Sequence, residues 1–203
     1  MNRTATRPMH GASSALSRRV LVATPIGWAL GILAGIGLII LVESAGVMAM
    51  QTPLVVGVAL GISTQQYRAL RPALAHSRTR WVLATCLGLA APFVLADVAR
   101  MVGRPLPYDL VRFVILGGVI ASVLQWRMLR TSVQRAAGWI IASPAGYIAA
   151  ASTVWLNDRV LPKTPGIVGA LQYLGVILAG GVLFGIVTAV AAARFEIAPR
   201  AEL

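Results

Sequence analysis

The sequence predicts an all-α membrane protein with six transmembrane helices, arranged as three tandem two-helix hairpins with both termini in the cytoplasm. Hydrophobic residues make up 58% of the 203-residue chain and charged residues only 12%, and the mean hydropathy is +0.79. Soluble domains are about half apolar and about a quarter charged, so this composition is typical of membrane proteins. The chain holds six apolar stretches near the roughly 20 residues that a transmembrane helix needs, with short connections between them.

The apolar stretches predict helices whose ends are marked by arginine, proline and glycine. The first stretch is too long for the apolar core of a signal peptide, so we predict a retained span behind a disordered basic tail at 1–19. A single transmembrane domain then covers 20–195, and 196–203 form a short C-terminal tail. The predicted helices are 20–42, 53–70, 81–101, 110–129, 137–156 and 166–195.

Arginines are distributed unequally between the two ends of these helices. Thirteen of the 18 Lys and Arg residues fall in the N-terminal tail, the loops after the second and fourth helices, and the C-terminus. The positive-inside rule therefore places this end of the molecule, with both termini, in the cytoplasm. Four of the six acidic residues fall at the opposite end: Glu43, Asp97, Asp109 and Asp158. Asp97 is predicted to form a surface ion pair with Arg100.

Short sequence patterns recur along the chain at intervals of about 60 residues. In the odd-numbered helices, the segments 23–28, 84–88 and 142–147 each contain a small residue, then Thr or Ser, and then Gly. In the even-numbered helices 66–71 matches 125–130, and Gly180-Gly181 aligns with Gly117-Gly118, which places Thr188 where Gln125 lies. The matches predict three parallel hairpin repeats, at about 20–72, 80–131 and 137–195.

The repeat places one polar side chain of each helix at a shared depth, just inside the cytoplasmic ends of the spans. This predicted polar layer consists of Thr24, Gln66, Thr85, Gln125, Ser143 and Thr188. One interpretation is hydrogen bonding between helices, which contributes on average about 0.6 kcal/mol per bond in a membrane. The other is a polar pocket or path along a pseudo-threefold axis.

The basic loops supply the predicted contacts to partners. Arginines at the ends of spans contact anionic lipid headgroups or the acidic surface of a partner protein. Nucleic acid is not expected, because no basic strip is interleaved with exposed aromatic residues. The candidate residues are Arg68, Arg71, Arg80, Arg127, Arg130 and Arg135. The sequence also leaves a homo-oligomer as an alternative. Glycine faces such as Gly31 with Gly35, or Gly57 with Gly61, serve helix contacts either within a chain or between chains.

Residues suited to catalysis or metal binding are scarce. His10 and His76 are the only histidines, both outside the predicted spans, and Cys86 is the only cysteine. No Asp, Glu, Lys or His lies near the middle of a span, where pumps and proton relays generally need one. We therefore predict no catalytic, metal or cofactor site and do not expect an enzyme.

One extended motif resembles a group of uncharacterised bacterial membrane proteins built from repeated hairpins. The motif is Gly-Gly-x3-small-x2-Gln-Trp-x2-Leu-Arg, a basic turn, and Trp-x2-Ala-Ser-x2-Gly. Its residues here are Gly117, Gly118, Ser122, Gln125, Trp126, Leu129, Arg130, Trp139, Ala142, Ser143 and Gly146. The second helix departs from the motif with Tyr67 in place of Trp, and the sixth lacks the Gln-Trp-x2-Leu-Arg end. The resemblance implies the bacterial inner membrane but no activity.

These observations favour a non-enzymatic scaffold, lipid-binding protein or accessory membrane subunit. The alternative is a small transporter or channel for a neutral or weakly polar solute that passes along the polar layer. A lipid-modifying enzyme is a third hypothesis, and it rests only on the arginine-rich face. A solvent-accessible cavity that reaches Gln66 and Gln125 would favour transport, whereas close-packed helices at that depth would favour the first hypothesis.

Overall fold

A computed structural model describes residues 10–46, 51–107, 110–162 and 164–197. The six helices are α1 (His10–Ser44), α2 (Gln51–Leu70), α3 (Arg78–Met101), α4 (Leu110–Leu129), α5 (Gly138–Val160) and α6 (Gly166–Ala192). A 3-10 turn, Arg71–Ala73, follows α2, and the two-residue strands β1 (Val133–Gln134) and β2 (Glu196–Ile197) pair antiparallel. The prediction of an all-helical chain is confirmed.

Five of the six helices are long and apolar enough to cross a membrane: α1, α3, α4, α5 and α6. The exception, α2, has 20 residues. Its hydropathy is lowered by Gln65, Gln66 and Arg68 near its C-terminal end. Of these, Gln66 is fully buried, so part of the polarity of α2 is directed into the protein.

The helices form a closed ring. Each helix packs mainly against its neighbours in sequence, and α1 also packs against α6, which joins the first and last helices. The α1–α2 contact is the most extensive of these. It depends on glycine, because a Cβ atom added at Gly31 would lie 2.6 Å from the Cα atom of Val58, and one added at Gly27 would lie 2.7 Å from the carbonyl oxygen of Gly61. The candidate glycine faces therefore serve a contact within the chain.

Two clusters of buried side chains fill the interior of the ring. The basic-end cluster lies beside the arginine-rich loops and draws on all six helices. It includes Trp81 and Trp139, whose ring centroids are 6.2 Å apart. The mid-helix cluster lies further along the helices and includes Tyr147 and Phe184, whose rings are 4.4 Å apart. Because aromatic rings occupy the interior at both levels, the ring of helices is a packed core.

The N-terminal segment differs from the prediction. Residues 1–19 were predicted to be disordered, but α1 begins at His10, so 10–19 are helical; residues 1–9 lie outside the described residues. Leu16 is buried in the basic-end cluster, and the Ser17 hydroxyl donates a hydrogen bond to the Ala189 carbonyl of α6 at 2.8 Å. These contacts with residues far away in sequence hold the first turns of α1 in place.

The C-terminal segment also differs slightly from the prediction. Helix α6 ends at Ala192 rather than at 195, and Phe195 turns back to pack 5.9 Å from the Trp139 ring. The predicted tail 196–203 begins with β2, which pairs with β1 in the loop between α4 and α5. Residues 198–203 lie outside the described residues, as does Asp109 at the opposite end.

The prediction for Asp97 was wrong. This residue is only 7% exposed, and its carboxylate accepts hydrogen bonds from the backbone N–H of Thr52 at 3.1 Å and from the Thr52 hydroxyl at 2.6 Å. Among the described residues no ion pair joins Asp97 to Arg100. Asp97 satisfies backbone and side-chain donors in the first turn of α2, and it thereby ties α3 to the start of that helix.

Candidate functional site

All six side chains of the predicted polar layer lie inside the ring of helices. Each helix contributes one of them, and each is 0% exposed to solvent: Thr24, Gln66, Thr85, Gln125, Ser143 and Thr188. A buried polar group in a membrane protein is costly unless it finds a hydrogen-bond partner within the protein. The partners of each side chain therefore decide what the layer does.

Gln125 is the centre of a hydrogen-bond network that joins three helices. Its side-chain nitrogen donates to the Thr85 hydroxyl of α3 at 2.8 Å, and its side-chain oxygen accepts from the Trp139 indole N–H of α5, also at 2.8 Å. Thr85 in turn donates to the Trp81 carbonyl at 2.9 Å. Every polar atom of the Gln125 amide group is thus engaged with a neighbouring helix.

Trp139 was missed as a member of this site. The sequence placed it in the extended motif, but only the structure shows its indole N–H bonded to Gln125. The signal that would have found it is its position four residues before Ser143, because residues at this spacing share one face of a helix. Trp139 therefore points into the interior one turn closer to the basic end than Ser143 does.

Gln66 of α2 corresponds to Gln125 in the predicted repeat, yet it makes no such network. By sequence register Thr24, Gln66 and Trp81 correspond to Thr85, Gln125 and Trp139. The Thr24 hydroxyl, both polar atoms of the Gln66 amide and the Trp81 indole N–H are buried and have no hydrogen-bond partner in the described part of the chain. The same three residue types are therefore hydrogen-bonded across α3, α4 and α5 but have no partners across α1, α2 and α3 among the described residues.

Helices α5 and α6 have a reduced version of the layer. The Thr188 hydroxyl donates to the Phe184 carbonyl of its own helix at 2.8 Å, and the Ser143 hydroxyl has no partner within the described ranges. Because Thr188 is shorter than glutamine, its hydroxyl is satisfied within α6 instead of bridging to α5.

Corresponding glycine contacts occur in the helix pairs α1–α2, α3–α4 and α5–α6. In each pair, a glycine lies three residues after the polar-layer residue of the odd-numbered helix. This glycine contacts the residue that lies four positions before the polar-layer residue of the even-numbered helix. The pairs are Gly27 with Ile62, Gly88 with Ala121, and Gly146 with Phe184. Contacts between hairpins also correspond, since Gly118 of α4 packs on Tyr147 of α5 and Gly181 of α6 packs on Trp28 of α1.

The six candidate arginines are all exposed at the ends of the helices. The two in the loop between α4 and α5 are engaged with other side chains. Arg130 lies over the Trp126 ring at 5.0 Å, and Arg135 forms a 3.0 Å ion pair with Glu196 of β2. A hydrogen bond of 3.2 Å from the Ala75 backbone N–H to the Ser132 hydroxyl connects this loop to the one between α2 and α3.

No protein-family model matches this chain, and neither a curated protein nor a solved structure shows significant similarity to it. The resemblance to bacterial membrane proteins of repeated hairpins therefore stays a prediction. Within the residues that the structure describes, no three His, Cys, Asp or Glu side chains come together to form a metal site. The burial and hydrogen bonding of the polar layer, and the charge of the basic end, are the observations from which a function can be inferred.

Proposed function

We propose that the protein is a non-enzymatic multi-pass protein of the bacterial inner membrane, acting as a scaffold, lipid-binding protein or accessory subunit. In this proposal all six helices cross the membrane as three hairpins around a pseudo-threefold axis. The recurring glycine contacts support the repeat, because they pair equivalent positions in all three hairpins. The α6–α1 contact supports a closed threefold arrangement, because it matches the α4–α5 contact.

The observation that carries the proposed role is the complete burial of the polar layer. Side chains that line a solute path must be reached by water or by the solute, but none of these six has any exposed surface. The bonds of Gln125 to α3 and α5 support a stabilising role, because hydrogen bonds between membrane helices contribute about 0.6 kcal/mol each and up to about 2. In this proposal the polar layer holds the helices together.

The alternative, a transporter or channel for a neutral or weakly polar solute, is favoured by one observation. Gln66, Thr24, Trp81 and Ser143 present buried polar atoms without hydrogen-bond partners in the described ranges. Such groups are costly in a closed protein and would be satisfied by water or a solute in a second, open conformation.

Solute flux separates the two functions. We expect proteoliposomes of the purified protein to take up glycerol and urea no faster than protein-free vesicles in stopped-flow light scattering. The double variant Gln66→Leu/Gln125→Leu, checked for folding by circular dichroism, is expected to behave in the same way. A protein-dependent flux that the folded double variant loses would overturn the scaffold proposal and select the transporter.

Membrane topology tests the number of spans. With α2 crossing the membrane, both termini lie on the cytoplasmic side, as the positive-inside rule requires. We expect green fluorescent protein fused to either terminus to fluoresce and alkaline phosphatase fused to either terminus to be inactive. Termini on opposite sides would mean that only the five more apolar helices cross and that α2 does not.

A further inference from the structure

The loop between α2 and α3 forms a polar groove at the basic end of the ring. The groove has a volume of about 600 Å³ and is lined by Tyr67, Arg71, Pro72, Leu74, His76 and Ser77 among others. The Nδ1 atom of His76 is buried and has no hydrogen-bond partner within the described ranges. His76, which lines the groove, therefore has one ring nitrogen that the loop itself does not satisfy.

The charge around this groove is not neutralised by the protein. Arg68, Arg71, Arg78 and Arg80 are all exposed, and no Asp or Glu occurs in the sequence between Glu43 and Asp97. None of the carboxylates that the structure describes forms an ion pair with these arginines. The loop between α4 and α5 differs, because Glu196 pairs with Arg135 and the Trp126 ring lies beneath Arg130. An anion is therefore attracted more strongly to the α2–α3 loop.

The groove also offers hydrogen-bond donors beside this charge. Helix α3 begins at Arg78 after the N-cap residue Ser77, whose hydroxyl accepts a 3.5 Å hydrogen bond from the Arg80 backbone N–H. The backbone N–H groups of Arg78 and Thr79 have no carbonyl acceptors within the helix and favour an anion. The Tyr67 hydroxyl is held by only one long hydrogen bond, 3.5 Å to the His76 carbonyl. Guanidinium, hydroxyl and backbone N–H donors together suit the oxygens of a phosphate group.

We propose that this groove binds the phosphate of an anionic phospholipid headgroup. Its cationic ligands are Arg71, which lines the groove, and the exposed Arg78, which follows the lining residue Ser77 in sequence. The assignment rests on the proposed function, which places the basic end at the cytoplasmic surface of the membrane. A lipid fits better than a soluble phosphate because the groove adjoins the ends of two helices at headgroup depth, where Tyr67 supplies an interfacial aromatic ring. The exposed Pro72 provides apolar surface for the glycerol region of the lipid.

The test compares two double variants of equal charge in detergent micelles. Native mass spectrometry is used to measure the affinity for phosphatidylglycerol of the unmodified protein, of Arg71→Gln/Arg78→Gln, and of the matched control Arg130→Gln/Arg135→Gln. Each arginine near an anionic lipid contributes to the binding free energy, and the loss of two such contributions weakens binding about 30-fold. We expect that loss in the first variant and a change of about threefold or less in the control. Equal losses in both variants, or no loss in the first, would overturn the assignment.

Two further ligands identify the source of the phosphate. Phosphatidylcholine is expected to bind much more weakly than phosphatidylglycerol, and equal binding of the two would overturn the proposed selectivity for an anion. Glycerol 3-phosphate is expected to compete only weakly; if it binds as tightly as the lipid, the groove belongs to a soluble phosphate and not to a membrane lipid. Failure of this site is distinct from failure of the proposed function, since solute flux and membrane topology are measured without reference to lipid affinity.

Discussion

Replacing Gly31 by alanine is expected to lower the free energy of unfolding by about 1–3 kcal/mol, because the added methyl group overpacks a close helix contact. The new Cβ atom would lie 2.6 Å from the Cα atom and 2.8 Å from the carbonyl oxygen of Val58. These are backbone atoms, so no side-chain rotation relieves the overlap and α1 must move away from α2. Packing is a main source of helix association within lipid, so this separation weakens the most extensive interface of the ring.

Gly37→Ala is the matched control for this prediction. Gly37 lies in the same helix, and an added Cβ atom would meet nothing within 4 Å. Alanine favours the helix over glycine by about 1 kcal/mol, so the control is expected to be neutral or stabilising. Denaturant titration in mixed micelles, followed by circular dichroism, measures both variants. Similar effects at Gly31 and Gly37 would contradict the close α1–α2 contact.

Replacing Gln125 by leucine is expected to destabilise the protein by about 1–3 kcal/mol, because it leaves the buried indole N–H of Trp139 without an acceptor. Gln66→Leu is expected to change the free energy of unfolding by less than about 0.5 kcal/mol or to raise it, because both polar atoms of Gln66 already lack partners among the described residues. The same denaturant titration distinguishes the two variants. Equal destabilisation would show that Gln66 bridges Thr24 and Trp81 as Gln125 bridges Thr85 and Trp139.

The positions of the helices follow from simple features of the sequence. A run of about 20 apolar residues has few stable conformations in lipid other than a helix, and arginines mark where such runs leave the membrane. The predicted and observed bounds of α4 are therefore identical, and those of α2 differ by two residues at one end. The predicted repeat, which aligned Gln66 with Gln125 and Thr85 with Ser143, also selected six polar residues that the structure buries completely.

The errors arose where a contact distant in sequence decides the local structure. The segment 10–19 is rich in Ser and Ala and has no apolar run, but Leu16 and Ser17 fold onto α6 and extend the helix. Asp97 has a cation three residues away on its own helix, yet its partner is Thr52 at the start of α2. Neither partner is visible before the helices are arranged in space.

Hydrogen bonding inside the polar layer could not be predicted from the sequence for a related reason. Helices α1, α2 and α3 present the same residue types as α3, α4 and α5, but only Gln125 lies within hydrogen-bonding distance of its threonine and tryptophan. Hydrogen bonds require donor–acceptor distances within a few tenths of an ångström. Sequence patterns fix which helix face a residue occupies, and they do not fix distances of that size.

The most direct test of a stabilising polar layer is the coupling between Gln125 and Trp139. A double-mutant cycle with Gln125→Leu and Trp139→Phe isolates the hydrogen bond that joins α4 to α5, measured as free energies of unfolding in micelles. The 2.8 Å bond between two fully buried side chains predicts a coupling energy of about 1 kcal/mol. If the effects of the two single substitutions on the free energy of unfolding add to within about 0.3 kcal/mol, this predicted coupling is contradicted. Gln125 would then not hold these helices together.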